Sequence, residues 1–327
     1  MDWRIKLGTQ FLLARLPFGI RLNHVLQILH GRHSAKLARH RLQDLAANFS
    51  RIRNAGLDLD GACVVEIGTG WNAINTLILF ALGVREVHTY DLNRHVRSHL
   101  VRRAVSELDE LAEVVAEQAG VPAHSVKERL ARLRGKHAAE DIFSAAGIHY
   151  HAPADATRTG LDSSSVDLVY SYAVLEHVGP DTIRRMNEET RRILRPTGLA
   201  YHGIGLHDHF TGVDRDITAV NFLQYSDRWW DFFVQNEISY HNRLREKDFL
   251  EIFARDGFEV VSRKNVIDPK SLGALDHMQL DAKFRGYTPE ELAVIHSTLV
   301  LKPRCHAGEL RTSAIAADRL EPVASPV

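Results

Sequence analysis

A glycine-rich turn between two short apolar segments limits most strongly what this chain can fold into. Residues 62–67 (Ala-Cys-Val-Val-Glu-Ile) have the composition of a buried strand, and the glycine turn 68–70 follows them directly. A helix is predicted from about Asn72 to Leu82, and a second strand is predicted over 86–90. A strand, a helix and a second strand within about 30 residues form a βαβ unit, which requires a parallel sheet.

Apolar segments of similar length recur along the rest of the chain. They are short and alternate with helical patterns, which is typical of a parallel sheet. They predict five further strands, over 148–151, 166–172, 198–204, 258–266 and 297–301. Helices are predicted over 181–194 and 246–255, and another begins at Pro289. The sequence therefore indicates a doubly wound, Rossmann-like α/β fold with a seven-stranded sheet.

This alternation covers one main domain, expected over 61–303, which follows a helical extension over 1–60. Residues 304–327 hold few large apolar residues, and we expect them to form a mobile tail. Two segments interrupt the main domain. Residues 96–146 predict a helical insertion, and residues 205–245, rich in aromatic residues, histidine and arginine, predict a substrate cap.

The insertion and the extension each allow two interpretations. The insertion predicts a long helix over 101–115 and a second helix over 125–133, and it could line a substrate pocket or form a homodimer surface. In the extension, apolar residues between 22 and 29 have helical spacing. That helix either packs on the body of the protein or rests, as a basic amphipathic helix, on a membrane surface.

Composition excludes several classes of protein. The 327 residues include 41 basic and 41 acidic side chains, so no nucleic-acid footprint is spread over the whole protein. The two cysteines, Cys63 and Cys305, lie far apart, which argues against a disulfide scaffold and a cysteine zinc cluster. No segment approaches the roughly 18 apolar residues of a membrane-spanning helix. We therefore expect a cytoplasmic protein.

The glycine turn and the end of the second strand indicate a ligand. Gly68, Gly70 and Ala73 form the pattern G-x-G-x-x-A, in which a ligand can approach free backbone N–H groups at a helix N-terminus. Asp91 ends the second strand and is placed to accept hydrogen bonds from both hydroxyls of a ribose. Together these features predict an adenosine-type cofactor, and alone they fit a nicotinamide dinucleotide as well as S-adenosylmethionine.

Three further features favour S-adenosylmethionine. Glu66 lies just before the glycines, where a carboxylate suits a cofactor with a cationic amino-acid end and sits badly beside a pyrophosphate. Asp155 follows the third strand, where it can accept a hydrogen bond from the adenine amino group. The fourth strand continues into the turn Leu175-Glu176-His177.

On these motifs the sequence resembles the class I S-adenosylmethionine-dependent methyltransferases, in particular those with a leucine-glutamate-histidine turn after the fourth strand. The resemblance covers about residues 60–205 and 246–302 and implies an antiparallel last strand. It also implies that the Ser171 backbone meets the methionine end of the cofactor and that His177 lies near the pocket floor. The cofactor-binding residues expected in this way are Glu66, Gly68, Gly70, Asn72, Asp91, Asp155, Ala156, Ser171 and His177.

The fifth strand runs into His207-Asp208-His209, at the edge where the carboxyl ends of the strands face the ligand crevice. This segment has three interpretations: a general base with its orienting acid, part of a metal site, or a polar loop without chemistry. We predict that His207 and His209 are catalytic with Asp208 as the orienting acid, and we assign no metal. A metal site would need further ligands, for which the cap offers Asp214, Asp216 and His241.

The cap mixes aromatic side chains with arginine and amides, which suits a polar ring such as a sugar or a ligand with a carboxylate or phosphate. The predicted substrate residues are Tyr172, Tyr225, Trp229, Arg243 and Arg245. The sequence thus predicts O-methylation of a polar hydroxylated small molecule, and N-methylation is the alternative. An NAD-dependent oxidoreductase and a non-catalytic nucleotide-binding module are the alternatives of other classes.

Overall fold

The computed structural model describes residues 2–19, 22–23, 39–236 and 238–304. The described residues of the extension include two helices, α1 (Trp3–Leu13) and α2 (Arg39–Asn54). Most of the predicted apolar helix around residues 22–29, and all of the predicted tail after residue 304, lie outside the described residues. Within them, no helix has both the length and the apolar character needed to cross a lipid bilayer.

Seven strands form one mixed sheet in the described part of the chain. They are β1 (Cys63–Ile67), β2 (Glu86–Tyr90), β3 (Ile148–His151), β4 (Val166–Tyr172), β5 (Leu194–Gly205), β6 (Phe258–Ile267) and β7 (Val294–Pro303). The order is β3-β2-β1-β4-β5-β7-β6; β1 to β5 are parallel, and β7 is antiparallel to both β5 and β6. The predicted Rossmann-like α/β fold with an antiparallel last strand is therefore confirmed.

Helices cover both faces of the sheet. The helices that follow α2 in the described residues are α3 (Ile74–Ala81), α4 (Ser98–Glu110), α5 (Ala112–Ala119), α6 (Ala123–Ala131), α7 (Ala139–Ala146), α8 (Pro180–Ile193), α9 (Asp227–Phe233), α10 (Glu246–Arg255), α11 (Pro269–Leu275) and α12 (Pro289–Leu292). The side chains of each strand alternate between the faces, so Val64 packs towards α2 and α3, whereas Val65 packs in the cluster that holds α8 and α10. Both faces of the central strands are buried, as a parallel sheet requires.

The insertion differs from its prediction in two details. Leu111 separates α4 from α5, where the periodicity predicts one continuous helix, and α7 lies in a stretch without a predicted element. The apolar faces of these helices join the core under α2 and α3, through Val101, Leu108 and Val115 among others. The insertion therefore widens the core of the domain, and its predicted roles as a pocket wall or a homodimer surface stay predictions.

Helix α1 packs against the cap. Trp3 is 2% exposed, and its ring centroid lies 5.2 Å from Phe210, 5.7 Å from Tyr225 and 6.4 Å from Trp229. The backbone N–H of Trp3 donates to Asp214 Oδ2 over 3.0 Å. The cap thus has a small apolar core of its own, and α1 is part of it.

Candidate active site

The turn after β1 has a backbone that glycine adopts without strain. Gly68 has φ +88°, and a Cβ atom at this position would lie 2.4 Å from Cγ2 of Val174. Gly70 has φ +68°, and a Cβ atom there would meet open space. Side chains are disfavoured at both positions. The turn therefore exposes backbone to open space at the carboxyl end of β1.

Asp91 lies beside this turn, immediately after β2. Its Oδ2 accepts a hydrogen bond from the Gly70 N–H over 3.2 Å, and its Oδ1 accepts one from the Asn93 N–H over 3.2 Å. His95 Nε2 is 4.0 Å from Oδ1, and the His95 ring stacks on Trp71 at 5.0 Å between centroids. The carboxylate predicted to hold a ribose is thus fixed next to the glycine turn.

Glu66 lies behind the turn, inside β1, and is 1% exposed. Its Oε2 accepts hydrogen bonds from Thr89 Oγ1 over 2.7 Å and from the Thr76 hydroxyl. Burial raises the pKa of the Glu66 carboxyl to about 7, against the opposing effect of these hydrogen bonds. The residue joins β1, β2 and α3, and its predicted contact with the cationic end of a cofactor stays a prediction.

The other predicted cofactor residues make local contacts. Asn72 Oδ1 accepts from the Ile74 N–H over 3.3 Å, and Asp155 Oδ1 accepts from the Thr157 N–H over 2.8 Å. The Ser171 hydroxyl hydrogen-bonds Nδ1 of the buried His202 over 2.8 Å. Ala156, next to Asp155, is half-buried. These bonds fix the loops after β1, β3 and β4, and the cofactor contacts of these residues stay predictions.

A comparison with family models found one match in this fold. Residues 124–202, from α6 to the middle of β5, match a family model described as a methyltransferase domain. The match supports the predicted resemblance of this chain to the class I S-adenosylmethionine-dependent methyltransferases. It also supports the predicted cofactor, S-adenosylmethionine. The match begins beyond the glycine turn, so the turn and Asp91 are observations independent of it.

Solved structures of other methyltransferases resemble this one. One is a Burkholderia thailandensis 1,6-didemethyltoxoflavin N1-methyltransferase with its acceptor and S-adenosylhomocysteine bound, at 13% identity and a TM-score of 0.44, with 87% of each chain covered. Another is a TehB-like methyltransferase from Corynebacterium glutamicum, at 13% identity and a TM-score of 0.39, with 79% of this chain and 88% of that chain covered. No curated protein sequence matches the chain.

Four histidines contact one another around the start of the cap, and we call them the cap histidine cluster: His177, His207, His209 and His241. The ring centroid of His209 lies 4.9 Å from His177, 5.0 Å from His207 and 4.5 Å from His241. His177 comes from the turn after β4, and the others come from the cap. The sequence predicts His207 and His209 as partners, and the structure adds two rings from distant segments.

Asp208 contacts backbone and an amide. Its Oδ1 accepts from the Phe210 N–H over 2.8 Å, and its Oδ2 accepts from Asn221 Nδ2 over 3.2 Å. Asp208 is 1% exposed, and burial raises its pKa to about 6. These bonds make Asp208 the N-cap of a short 3-10 helix, His209–Gly212. Its predicted role as the acid that orients a histidine stays a prediction.

The prediction that Arg243 and Arg245 bind substrate is wrong. Arg243 is 1% exposed and donates to the carbonyls of Phe222 and Tyr225 and to Asp227. Arg245 is fully buried. Its guanidinium donates to three backbone carbonyls, those of Leu206, Leu292 and Val294. Arg243 joins segments of the cap to one another, Arg245 joins the cap to the segments beside β5 and β7, and both guanidinium groups are thus bound by the protein itself.

Replacing Arg245 with methionine should lower the melting temperature by about 5 °C or more. Three buried carbonyls would lose their donors, and each buried unpaired polar group costs about 1–3 kcal/mol. Thermal unfolding followed by circular dichroism measures the effect. Arg228→Ala, at an exposed arginine of the same cap, is the matched control and should leave the melting temperature nearly unchanged. An unchanged value for Arg245→Met would contradict the structural role.

The three predicted aromatic substrate residues lie in two places. Tyr225 and Trp229 stack on each other at 4.4 Å between centroids and contact Trp3 of α1, so they contribute to the small apolar core of the cap. Tyr172 ends β4, is half-buried, and lies 5.6 Å from the His296 ring. Substrate contact stays a prediction for all three.

Sequence reasoning missed one acidic residue of the site. Glu176 is 2% exposed; its Oε1 accepts from the Gly205 N–H over 3.1 Å, and its Oε2 has no hydrogen-bond partner among the described residues. Burial raises the pKa of this carboxyl to about 7. Glu176, in the turn after β4, lies beside the start of the cap because β4 pairs with β5. The spacing of residues along the chain does not reveal this pairing.

Proposed function

We propose that this methyltransferase transfers a methyl group to a hydroxyl of a polar small molecule held under the cap. The observation that carries the proposal is a cavity of about 370 Å³ with a largely polar wall. The lining residues are Lys6, Gln10, His177, Asp208, His209, Phe210, Trp230, Val234, Ile238, Ser239, Tyr240 and His241. Hydroxyl groups find both donors and acceptors on such a wall.

The cavity and the cofactor turn belong to the same edge of the sheet. Val174, which closes over Gly68, and His177, which lines the cavity, lie in the same turn after β4. In open α/β sheets, ligands bind outside the carboxyl ends of the strands. An acceptor in the cavity would therefore approach from the cap side, opposite the glycine turn.

Different residues of the chain would bind the cofactor and the acceptor. When bound, S-adenosylmethionine supplies a methyl group on a cationic sulfur. Asp91 and the turn at Gly68 and Gly70 would hold its ribose and methionine parts, because they offer a fixed carboxylate and exposed backbone. The cavity wall orients the acceptor, and alignment of the two reactants provides much of the rate.

A hydroxyl acceptor must also lose its proton, and a neutral imidazole of the cap histidine cluster can take it. Burial lowers the pKa of His207, and burial lowers that of His241 more strongly. Both rings are therefore neutral at pH 7 and can accept a proton. An amine acceptor needs less help, so the cluster favours O-methylation over N-methylation.

On the acid side of the pH profile, kcat/KM should fall to half its maximum at a pH below 6.5, which is the ordinary pKa of histidine. A base whose pKa is lowered by burial stays unprotonated to lower pH, so activity persists there and falls only below the lowered value. The profile of kcat/KM between pH 4.5 and pH 9 measures this. A midpoint above 6.5 would contradict His207 as the base.

Two experiments test the proposed function. Calorimetric titration with S-adenosylhomocysteine and with NADH separates a methyltransferase from an oxidoreductase, and we expect only the first to bind. A panel of sugars, phenols and amines incubated with labelled S-adenosylmethionine identifies the acceptor atom by mass spectrometry and NMR. Methylation of amines alone would contradict O-methylation.

The proposal also includes the cellular location of the protein and its partners. We retain a cytoplasmic location, because two distant cysteines offer no disulfide framework. A membrane-surface contact through the extension and a homodimer through the insertion stay open, and size-exclusion chromatography with light scattering tests the second. A nucleic-acid partner is not proposed, since the chain has no net charge.

A further inference from the structure

Side chains that could bind a metal lie together beside the cavity, and two of them, His177 and His209, line it. Glu176, His177 and His209 each offer one ligand atom, and these three atoms lie within 4.8 Å of one another. The His241 ring is adjacent, 4.5 Å from His209 between centroids. We propose that Glu176, His177 and His209 bind a divalent transition-metal ion of the zinc type, at a coordination site open to the cavity.

Two buried atoms of this group have no hydrogen-bond partner among the described residues. They are Oε2 of Glu176, which is 2% exposed, and Nε2 of His241, which is 4% exposed. Buried polar atoms in proteins nearly always have a partner. The unpaired carboxylate oxygen of Glu176 is a donor of electron pairs, which a cation bound by Glu176, His177 and His209 would satisfy.

Two of the proposed ligands, His177 and Glu176, form hydrogen bonds with backbone groups outside the cluster. His177 Nδ1 lies 2.8 Å from the Tyr240 carbonyl oxygen. A carbonyl only accepts, so Nδ1 carries the proton and Nε2 presents its lone pair. Histidine ligands of metals are typically oriented in this way. Glu176 accepts from the Gly205 N–H through Oε1, which leaves Oε2 without a hydrogen-bond partner among the described residues.

The donor set fits zinc better than magnesium or calcium. Two imidazole nitrogens and one carboxylate oxygen are usual for zinc, whereas the harder ions prefer oxygen donors only. Bonds of about 2.0–2.2 Å place tetrahedral donors about 3.4 Å apart, so side-chain rotations would draw the three atoms together. Three protein ligands leave a fourth position facing the cavity, which is the arrangement of catalytic zinc sites.

An ion there would acidify an acceptor hydroxyl that occupies the open position. His209 would then act as a ligand, and His207 would remain to take the proton. This catalytic meaning rests on the proposed O-methylation. Binding of the ion itself does not, so the two can fail separately.

A second group of ligand-type side chains provides the control. Cys63, Glu86 and His88 lie on the β1 and β2 strands and could also hold an ion. His88 already contacts Glu86 over 3.2 Å and His151 over 3.2 Å. The two groups differ chemically, because only the strand group contains a thiol.

The test uses the full, untagged protein, freed of metal by dialysis against a chelator and titrated with zinc chloride in a calorimeter. We expect one tightly bound zinc ion per chain. His209→Ala and His177→Ala should each weaken binding at least about 100-fold, and His88→Ala should leave it unchanged. Thermal melts and S-adenosylhomocysteine affinity show that each variant is folded. Cobalt in place of zinc should give visible ligand-field bands without thiolate charge-transfer absorption.

The possible results separate the alternatives. Failure of the unmutated protein to bind zinc overturns the proposal. So does binding that His88→Ala removes and His209→Ala preserves, or a cobalt spectrum with thiolate charge transfer. Zinc bound as expected but no methylated hydroxyl product in the acceptor panel would keep the metal site and overturn the proposed O-methylation instead.

Discussion

The His207→Ala, His209→Ala double variant is expected to lose turnover by about 10²-fold or more and to keep its affinity for S-adenosylhomocysteine. A positioned proton acceptor typically contributes about 10²–10⁴-fold to a rate. The cofactor turn lies in different segments, after β1 and β2, so binding there should not change. Single-turnover kinetics with an identified acceptor, alongside calorimetry, measures both quantities.

Two further variants make this result interpretable. His124→Ala removes an exposed histidine of the insertion and should leave turnover unchanged. The two single variants show whether His207 or His209 carries the effect. Turnover of the double variant within about twofold of the unmutated enzyme would mean that positioning alone drives the reaction.

The second large effect is expected for Asp91→Ala, which should weaken S-adenosylhomocysteine binding by about 10²-fold or more. The variant would lose the carboxylate that we propose accepts from the ribose hydroxyls, and the Gly70 N–H would lose its acceptor. Hydrogen bonds to charged groups are worth about 1.5–3 kcal/mol each, so losing two accounts for this factor. Isothermal titration calorimetry measures the affinity.

Asp109→Ala is the matched control for this measurement, because Asp109 pairs with Arg134 on the exposed insertion. Its affinity should equal that of the unmutated protein. An Asp91→Ala variant that binds S-adenosylhomocysteine normally would remove the ribose role from Asp91. The fold and the family of the enzyme would not be affected by that outcome.

The sheet could be predicted from sequence because its signals are local. Runs such as 62–67 and 166–172 are largely apolar on both faces, and a glycine ends the first of them, so each strand can be recognised within a few residues. Helix α7 was not predicted because Ile142 and Phe143 are its only large apolar residues, too few for a clear period. Short helices of this kind depend on tertiary contacts.

Residues of the candidate site could be predicted from the sequence only where they directly follow the end of a strand. Asp91 and His209 were found in this way. Glu176 was not assigned to the site and His241 was named only as a possible metal ligand, because it is the fold that brings together the turn after β4 and the end of the cap. Arg243 and Arg245 were misassigned because arginine usually lies at a surface, and nothing in their spacing shows that backbone carbonyls surround them.

Helix α1 has a consequence for how acceptor preference can change. Lys6 and Gln10 contribute to the cavity wall from the start of the chain, whereas the cofactor turn begins after residue 67. The two parts of the enzyme therefore have separate stretches of sequence. Exchange of the first turns of α1 between related enzymes would alter the shape and charge of the cavity while β1, β2 and their loops stay intact. Diversification of acceptors can thus proceed at the N-terminus without loss of the shared methyl donor.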